Sequence, residues 1–300
     1  MIGTGPYDSL REYVEAIEEH GKLIRIDEID QDAYELTGFM YKLLDKYGWM
    51  GAPAVIVEKV KIDGEWMQGP ILINQYGMGG HEALVVGVPL DEIDPEDHIL
   101  NYKKSLEKML DQVPIEPKKT KEIKASEAPS KEVILKDDEI DILSFPFIQT
   151  NPADNGRFIN TGNLITIDPD GGRNVGTYRM QIKGPRKIGI SPERNQDGWK
   201  ALMAHKEAGK THANVAVVLG TDPIVFAMSS SKTARSGQDE LEIAGGLKGK
   251  SIEVVKCEDS DIMVPANVEM IIEGEIPLDD LEAEGPFGEM YGYMLSLIHI

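Results

Sequence analysis

Apolar residues recur at helical spacing near the start of the chain. Leu10, Tyr13, Val14 and Ile17 follow Asp8, a candidate N-cap, and Gly21 offers a stop. Leu23-Ile24-Arg25-Ile26 then reads as a strand. A second helix is expected over residues 34–47, with Leu36, Phe39, Met40, Leu43 and Leu44 on one face. Strands are expected at 54–60 and 70–74, and Gly77, Gly79 and Gly80 mark a turn before a further helical stretch. The alternation of types predicts an N-terminal α/β domain over residues 1–112.

The pattern changes at residues 113–132. Pro114, Pro117 and Pro129 stand among Lys118, Lys119, Lys121 and Lys124, the composition of a linker. A mostly β region follows over 133–294. Strands at 163–168 and 174–183 flank Pro169-Asp170-Gly171-Gly172, a hairpin signal. Later strands are expected at 215–219, 224–228, 251–256 and 268–273, with helices near 198–208 and 239–247. The fold class is therefore α+β. Residues 295–300 are apolar and stop without a cap or polar tail, which reads as a truncated or non-native tail.

Composition narrows the function. A net charge of −21 over 300 residues argues against a nucleic-acid surface and against attachment to anionic membranes. No apolar run is long enough to span a bilayer and no signal-peptide core opens the chain, so a cytoplasmic location is expected. Cys257 is the single cysteine, which excludes an intrachain disulfide and a cysteine metal cluster. Following the strand-like run 252–256, it reads as a small core residue.

The candidate chemistry starts at Glu284-Gly-Pro-Phe-Gly-Glu289. Two carboxylates flank a Gly-Pro-x-Gly bend in an apolar neighbourhood that includes Ile271, Ile272, Met290, Tyr291 and Tyr293. Acids that share a partly desolvated site are pushed apart in pKa, and one becomes a usable general acid. Against this stands an acidic surface loop, a real alternative in a chain with 52 acidic residues.

Three further segments complete an ordered set: Asp154-Asn-Gly-Arg157-Phe-Ile-Asn-Thr161, Asn174-Val-Gly-Thr-Tyr-Arg179, and Asp239-Glu240-Leu-Glu242 with Gly245 and Gly249. With Val264-Pro-Ala266, Glu269 and Glu273 joining the acidic pair, the set resembles the UbiD family of reversible decarboxylases, which use prenylated FMN. The resemblance runs from Leu10 to Tyr293. It implies a central split β-barrel like that of flavin reductases, a further C-terminal domain missing here, and non-oxidative reversible decarboxylation of an aromatic or α,β-unsaturated acid.

The same resemblance assigns roles. Asn174, Val175, Gly176, Thr177, Tyr178 and Arg179 would line the cofactor, with Asn174 and Glu240 holding Mn²⁺ or Mg²⁺ and K⁺ as a further candidate ion. Glu242 is the alternative carboxylate. Many family members add a histidine ligand, but this chain has none between Arg179 and His205. Arg194 stands nearest by position; a guanidinium cannot bind a cation but can pair with a phosphate or an anionic substrate. His205 and His212 read as surface or helix-end residues. Arg179, Glu284 and Glu289 match the catalytic network, with Glu289 as proton carrier. Implied partners are the acid, CO₂, a UbiX-like prenyl-flavin synthase, and further copies in a homo-oligomer. Ile148, Met180 and Phe287 are candidates for pocket lining or core. An FMN-dependent reductase and an inactive fragment or carboxylase-complex subunit remain alternatives. A dinucleotide-binding dehydrogenase is disfavoured, since no Gly-x-Gly-x-x-Gly run opens a helix.

Overall fold

The computed structural model describes residues 3–234 and 237–288, and the backbone of Met294–Leu297. Helix α1 (Leu10–Glu19) starts at Ser9, whose hydroxyl accepts the Glu12 N–H at 3.0 Å. The Glu12 carboxylate in turn accepts the Asp8 N–H at 2.7 Å. The cap is therefore Ser9, not the expected Asp8, whose carboxylate pairs instead with Lys250.

Strand β1 (Leu23–Asp30) and helix α2 (Glu35–Tyr47) lead to β2 (Ala54–Ile62), which runs parallel to β1. Asp63 and Gly64 both have positive φ, 54° and 84°, and turn the chain into the antiparallel β3 (Glu65–Ile73). Leu36 and Leu43 of α2 pack on Val55, Val57 and Val60 of this sheet. Helices α3 (Gly79–Val85) and α4 (His98–Leu110) complete the module.

Beyond β4 (Lys121–Glu122), the hairpin of β5 (Phe158–Ile167) and β6 (Arg173–Gly184) forms where the sequence places it. Next come β7 (Lys187–Ile190), α5 (Asp197–Glu207), β8 (His212–Leu219), α6 (Pro223–Ser230) and α7 (Glu240–Lys248). The remaining strands are β9 (Glu253–Lys256), β10 (Met263–Pro265), β11 (Met270–Pro277), β12 (Glu284–Gly288) and β13 (Met294–Leu297). Strands in the order β11-β8-β5-β6-β7 make a curled antiparallel half-barrel. Alternation sends Leu164, Tyr178, Met180 and Val217 to one face, under Leu202 of α5. Ile165, Val175, Ala216 and Val218 face α6 and α7. Met180 is thus core, as is Cys257, whose thiol burial pushes up to about 12. Ile148 packs against the N-terminal sheet.

Residues 113–132 are tied down along their length. The Lys118 N–H donates to the Glu242 carbonyl at 2.9 Å, and β4 pairs in parallel with β9.

One expected strand, 224–228, is helix α6. Its β-branched residues suggest a strand, but Asp222 Oδ1 accepts the N–H groups of Ile224 and Val225, both at 3.0 Å, and Pro223 occupies the first turn. The same Asp222 is buried, and its Oδ2 accepts from Lys248 Nζ at 2.9 Å. Lys248 also donates to the Tyr7 carbonyl at 2.7 Å, so one ammonium joins the N-terminal segment, α6 and α7. Removing it leaves a buried carboxylate without its cation. Lys248→Met is expected to cost about 3–5 kcal/mol in denaturant unfolding. A loss below about 1 kcal/mol, the range of exposed pairs, would contradict this reading. No helix among the described residues is long and apolar enough to cross a membrane.

Candidate functional site

The site forms along one edge of β6. Strand β7 pairs only with residues 180–184, so among the described residues no strand pairs with 174–179 on that side. Helix α7 approaches the edge instead, and the Val175 N–H donates to Glu240 Oε2 at 2.9 Å. Backbone groups of alternate residues point the same way along a strand, which turns those of Thr177 to this edge as well.

Arg179 lies further along β6 and meets Glu284 in a bidentate pair, Nε to Oε1 at 2.9 Å and Nη2 to Oε2 at 3.1 Å. The side chains are 16% and 8% exposed. A planar guanidinium facing a carboxylate through two bonds fixes the orientation of both. The Phe287 ring lies 5.0 Å from the guanidinium carbon and 4.8 Å from the Phe158 ring, which closes the apolar side of the pair. Glu284 itself begins β12, where Gly285 adopts φ 85° and the register with β13 shifts before Phe287. The expected bend is thus an irregular strand. The proposed proton carrier Glu289 lies outside the described residues, as do Met290, Tyr291 and Tyr293.

Gly176 and Tyr178 serve packing. A Cβ on Gly176 would stand 2.6 Å from the Tyr178 ring, and one on Gly198 2.7 Å from its hydroxyl. The two glycines make room for the ring. Arg194 stands exposed in the turn that leads to α5, the helix that carries Gly198.

A hydroxyl cluster absent from the sequence expectations sits beside Thr177. Its Oγ1 accepts from Asn163 Nδ2 at 2.9 Å and lies 2.9 Å from both Ser229 Oγ and Ser230 Oγ. Asn163 is fixed by Thr221, which donates to its Oδ1 at 3.1 Å. The run Ser229-Ser230-Ser231 is visible in the sequence, but expecting a strand at 224–228 hid that it ends a helix beside β6.

At the other end of the edge, Asn174 Nδ2 donates to Thr166 Oγ1 at 3.3 Å, so its amide oxygen is the atom suited to a cation. Burial pushes the Glu240 carboxyl up to about 7; the Val175 N–H pulls the other way, while Asp239 and Asp197 add repulsion. Asp239 caps α7 and pairs with Arg173 at 2.5 Å. Among the described residues no group of three or more His, Cys, Asp or Glu is placed to hold a metal. His205 Nε2 lies 2.6 Å from the Ile167 carbonyl oxygen in the last turn of α5, and His212 is exposed on β8. Glu240 is therefore not part of a metal-holding group of His, Cys, Asp or Glu among the described residues.

A raised carboxyl predicts pH-dependent cation binding. A divalent cation held by Glu240 would have to displace its proton below about pH 7, so Mn²⁺ affinity would rise about tenfold per pH unit and level off above it. Mn²⁺ titration with FMN present, followed by electron paramagnetic resonance, checks this. The slope should flatten in Glu240→Gln, and equal slopes in both proteins would contradict it. Without metal the sign for stability is opposite. A carboxyl raised above its unfolded value favours the folded state most at low pH, and this contribution fades as pH rises from about 4.5 to 7.

The fold is that of the UbiD-class enzymes. The evolved dimeric form of HmfF from Pelotomaculum thermopropionicum, in complex with prFMN, matches with a TM-score of 0.79 at 32% identity, over 96% of this chain and 62% of that one. The closed form of the vanillic acid decarboxylase of Sedimentibacter hydroxybenzoicus matches with a TM-score of 0.80 at 29% identity, over 96% and 59%. The phenolic acid decarboxylase of Bacillus subtilis (strain 168) is 31% identical over 294 residues, 96% of this chain and 58% of that relative. The UbiD family profile, described as the 3-octaprenyl-4-hydroxybenzoate carboxy-lyase Rift-related domain, matches residues 121–299. The chain belongs to the UbiD family, and it spans less than two thirds of the length of these relatives.

Proposed function

We propose that this chain carries the catalytic core of a carboxy-lyase that decarboxylates an aromatic or α,β-unsaturated acid reversibly with prenylated FMN. The observation that supports this reading most is the bidentate pair between Arg179 of β6 and the buried Glu284 of β12, with Glu240 meeting the other end of β6. A reductase needs only the flavin and a nicotinamide, and has no use for an arginine locked to a carboxylate at this position.

The residues present suit a phosphorylated flavin. Thr177, Ser229 and Ser230 would offer hydroxyls to the cofactor, and Asn174 and Glu240 would offer oxygens to a divalent cation. The half-buried Glu240, near two acids, would be better accommodated with a divalent cation than without one. When bound, the prenylated flavin supplies the electron sink for loss of CO₂.

The protein's own share is positioning and proton transfer. Glu284 holds Arg179 in one orientation, which places a fixed positive charge beside the reacting carboxylate. Glu289 would give the proton to the carbon that CO₂ leaves and take it back in the reverse direction. Phe287 and Phe158 keep water from one side of the pair. The absorbance spectrum of flavin bound after co-expression with a prenyl-flavin synthase tests the cofactor. A prenylated-FMN spectrum with CO₂ release from a panel of cinnamic, furoic and hydroxybenzoic acids supports the reading. Plain FMN reduced by NADPH would place the protein with the reductases instead.

A further inference from the structure

The first of the four motif segments has no role in the chemistry above, yet it holds the strand that carries Glu284. Asp154 is buried at 6% exposure. Its Oδ2 accepts the Asn151 N–H at 2.8 Å, a local turn contact. Its Oδ1 accepts the Gly288 N–H at 2.7 Å, from a residue 134 positions away. A turn residue needs only the first contact; the second crosses to β12. Next to it, the Asn155 N–H donates to the Pro286 carbonyl at 2.9 Å. The approach is close enough that a Cβ on Gly288 would stand 2.8 Å from Asn151 Nδ2. Gln181, two residues beyond Arg179 on β6, accepts the Gly285 N–H at 3.3 Å and donates to the Asn155 carbonyl at 2.6 Å.

The loop is anchored in turn on the N-terminal module. Thr37 on α2 donates to the Thr150 carbonyl at 2.6 Å, and Gln31 donates to the Gln149 carbonyl at 2.9 Å. Gln149 closes the loop from inside through bonds to the carbonyls of Asn151 and Asp154, at 3.1 and 3.0 Å. A continuous hydrogen-bonded path thus runs from α2 through residues 149–155 to the backbone of β12.

We infer that Asp154 is a positioning residue for the acid strand: it clamps β12 through Gly288, so that the N-terminal module sets where Glu284 stands relative to Arg179. The inference rests on the decarboxylase reading for its catalytic consequence, and on geometry alone for the clamp. Charge matters here because one carboxylate accepts both N–H groups. A carboxamide in its place accepts one and turns its own N–H₂ toward the other donor.

Asp154→Asn tests this in two independent ways. In the flavin-free protein, hydrogen exchange at the Gly288 amide should speed up by about tenfold or more, because the amide loses a buried acceptor. In the protein loaded with prenylated FMN, kcat should fall about 10- to 100-fold while KM and flavin affinity stay within about twofold, the mark of misplaced groups rather than lost binding. Thr37→Val loosens the same loop from its far anchor and should shift both readouts in the same direction by less; it keeps the test alive should Asp154→Asn fail to fold. Unchanged Gly288 exchange in the variants overturns the clamp. So does a kcat loss that merely follows the fraction of unfolded protein. If the wild-type protein releases no CO₂ from any acid, the decarboxylase reading falls while the exchange result still judges the clamp.

Discussion

An Arg179→Ala variant is expected to show no CO₂ release above background and to lose about 3–5 kcal/mol of stability, because it strands a buried carboxylate. Glu284 is 8% exposed on its side chain, and Arg179 gives it two hydrogen bonds at 2.9 and 3.1 Å. The stacking of the guanidinium on Phe287 is lost at the same time, a smaller effect of about 0.5–2 kcal/mol. Activity and stability separate in the double variant Arg179→Ala with Glu284→Gln. A neutral amide has less to lose by burial, so stability should recover in part while CO₂ release stays absent. Urea unfolding and a CO₂ assay on the two variants decide the matter. Wild-type activity in Arg179→Ala would remove the pair from the mechanism, and wild-type stability would show that Glu284 finds another partner.

The second large effect belongs to Glu289→Gln. Gly288, the residue before it, is held by Asp154 at 2.7 Å, and Glu284 on the same strand is locked to Arg179. The assignment of the proton to Glu289 rests on the family resemblance. The amide retains size and polarity but carries no transferable proton, so kcat should fall about 10²- to 10⁴-fold, the usual range for a general acid–base group. Flavin loading and KM should stay near wild type, since neither needs that proton. The pH profile supplies the sharper readout: the limb of kcat set by this carboxyl should vanish in the variant. A profile with both limbs intact would assign the proton to another group.

How much of this was readable in the chain differs from element to element. The hairpin of β5 and β6 was plain, because Asp170-Gly171-Gly172 breaks two apolar runs and nothing competes with that signal. Helix α6 was not, since Ile224 and Val225 favour a strand locally and only the capping contacts of Asp222 decide for a helix. That misreading also concealed the contact of Ser229 and Ser230 with Thr177. The Arg179–Glu284 pair joins residues 105 positions apart. No periodicity reaches that far, and only the likeness to a known family brought the two residues together before the structure did. Asp154 was quoted within a motif but had no stated purpose, for the same reason: its partner Gly288 is distant in sequence and the contact is to backbone, which leaves no side-chain pattern to read. Glu240 shows the reverse. Its place in the first turn of α7 explains a carboxylate there by the helix dipole alone, and the unusual property, a carboxyl raised to about 7, comes from burial that sequence does not display.

The most direct measurement is exchange of labelled CO₂ into the carboxylate of a substrate acid by the protein loaded with prenylated FMN. Incorporation of ¹³C from bicarbonate is expected to require the prenylated cofactor, to persist without any nicotinamide, and to disappear in Glu289→Gln. Equal exchange by wild type and Glu289→Gln, or no exchange from a fully loaded protein whose flavin is instead reduced by NADPH, would contradict the proposed function.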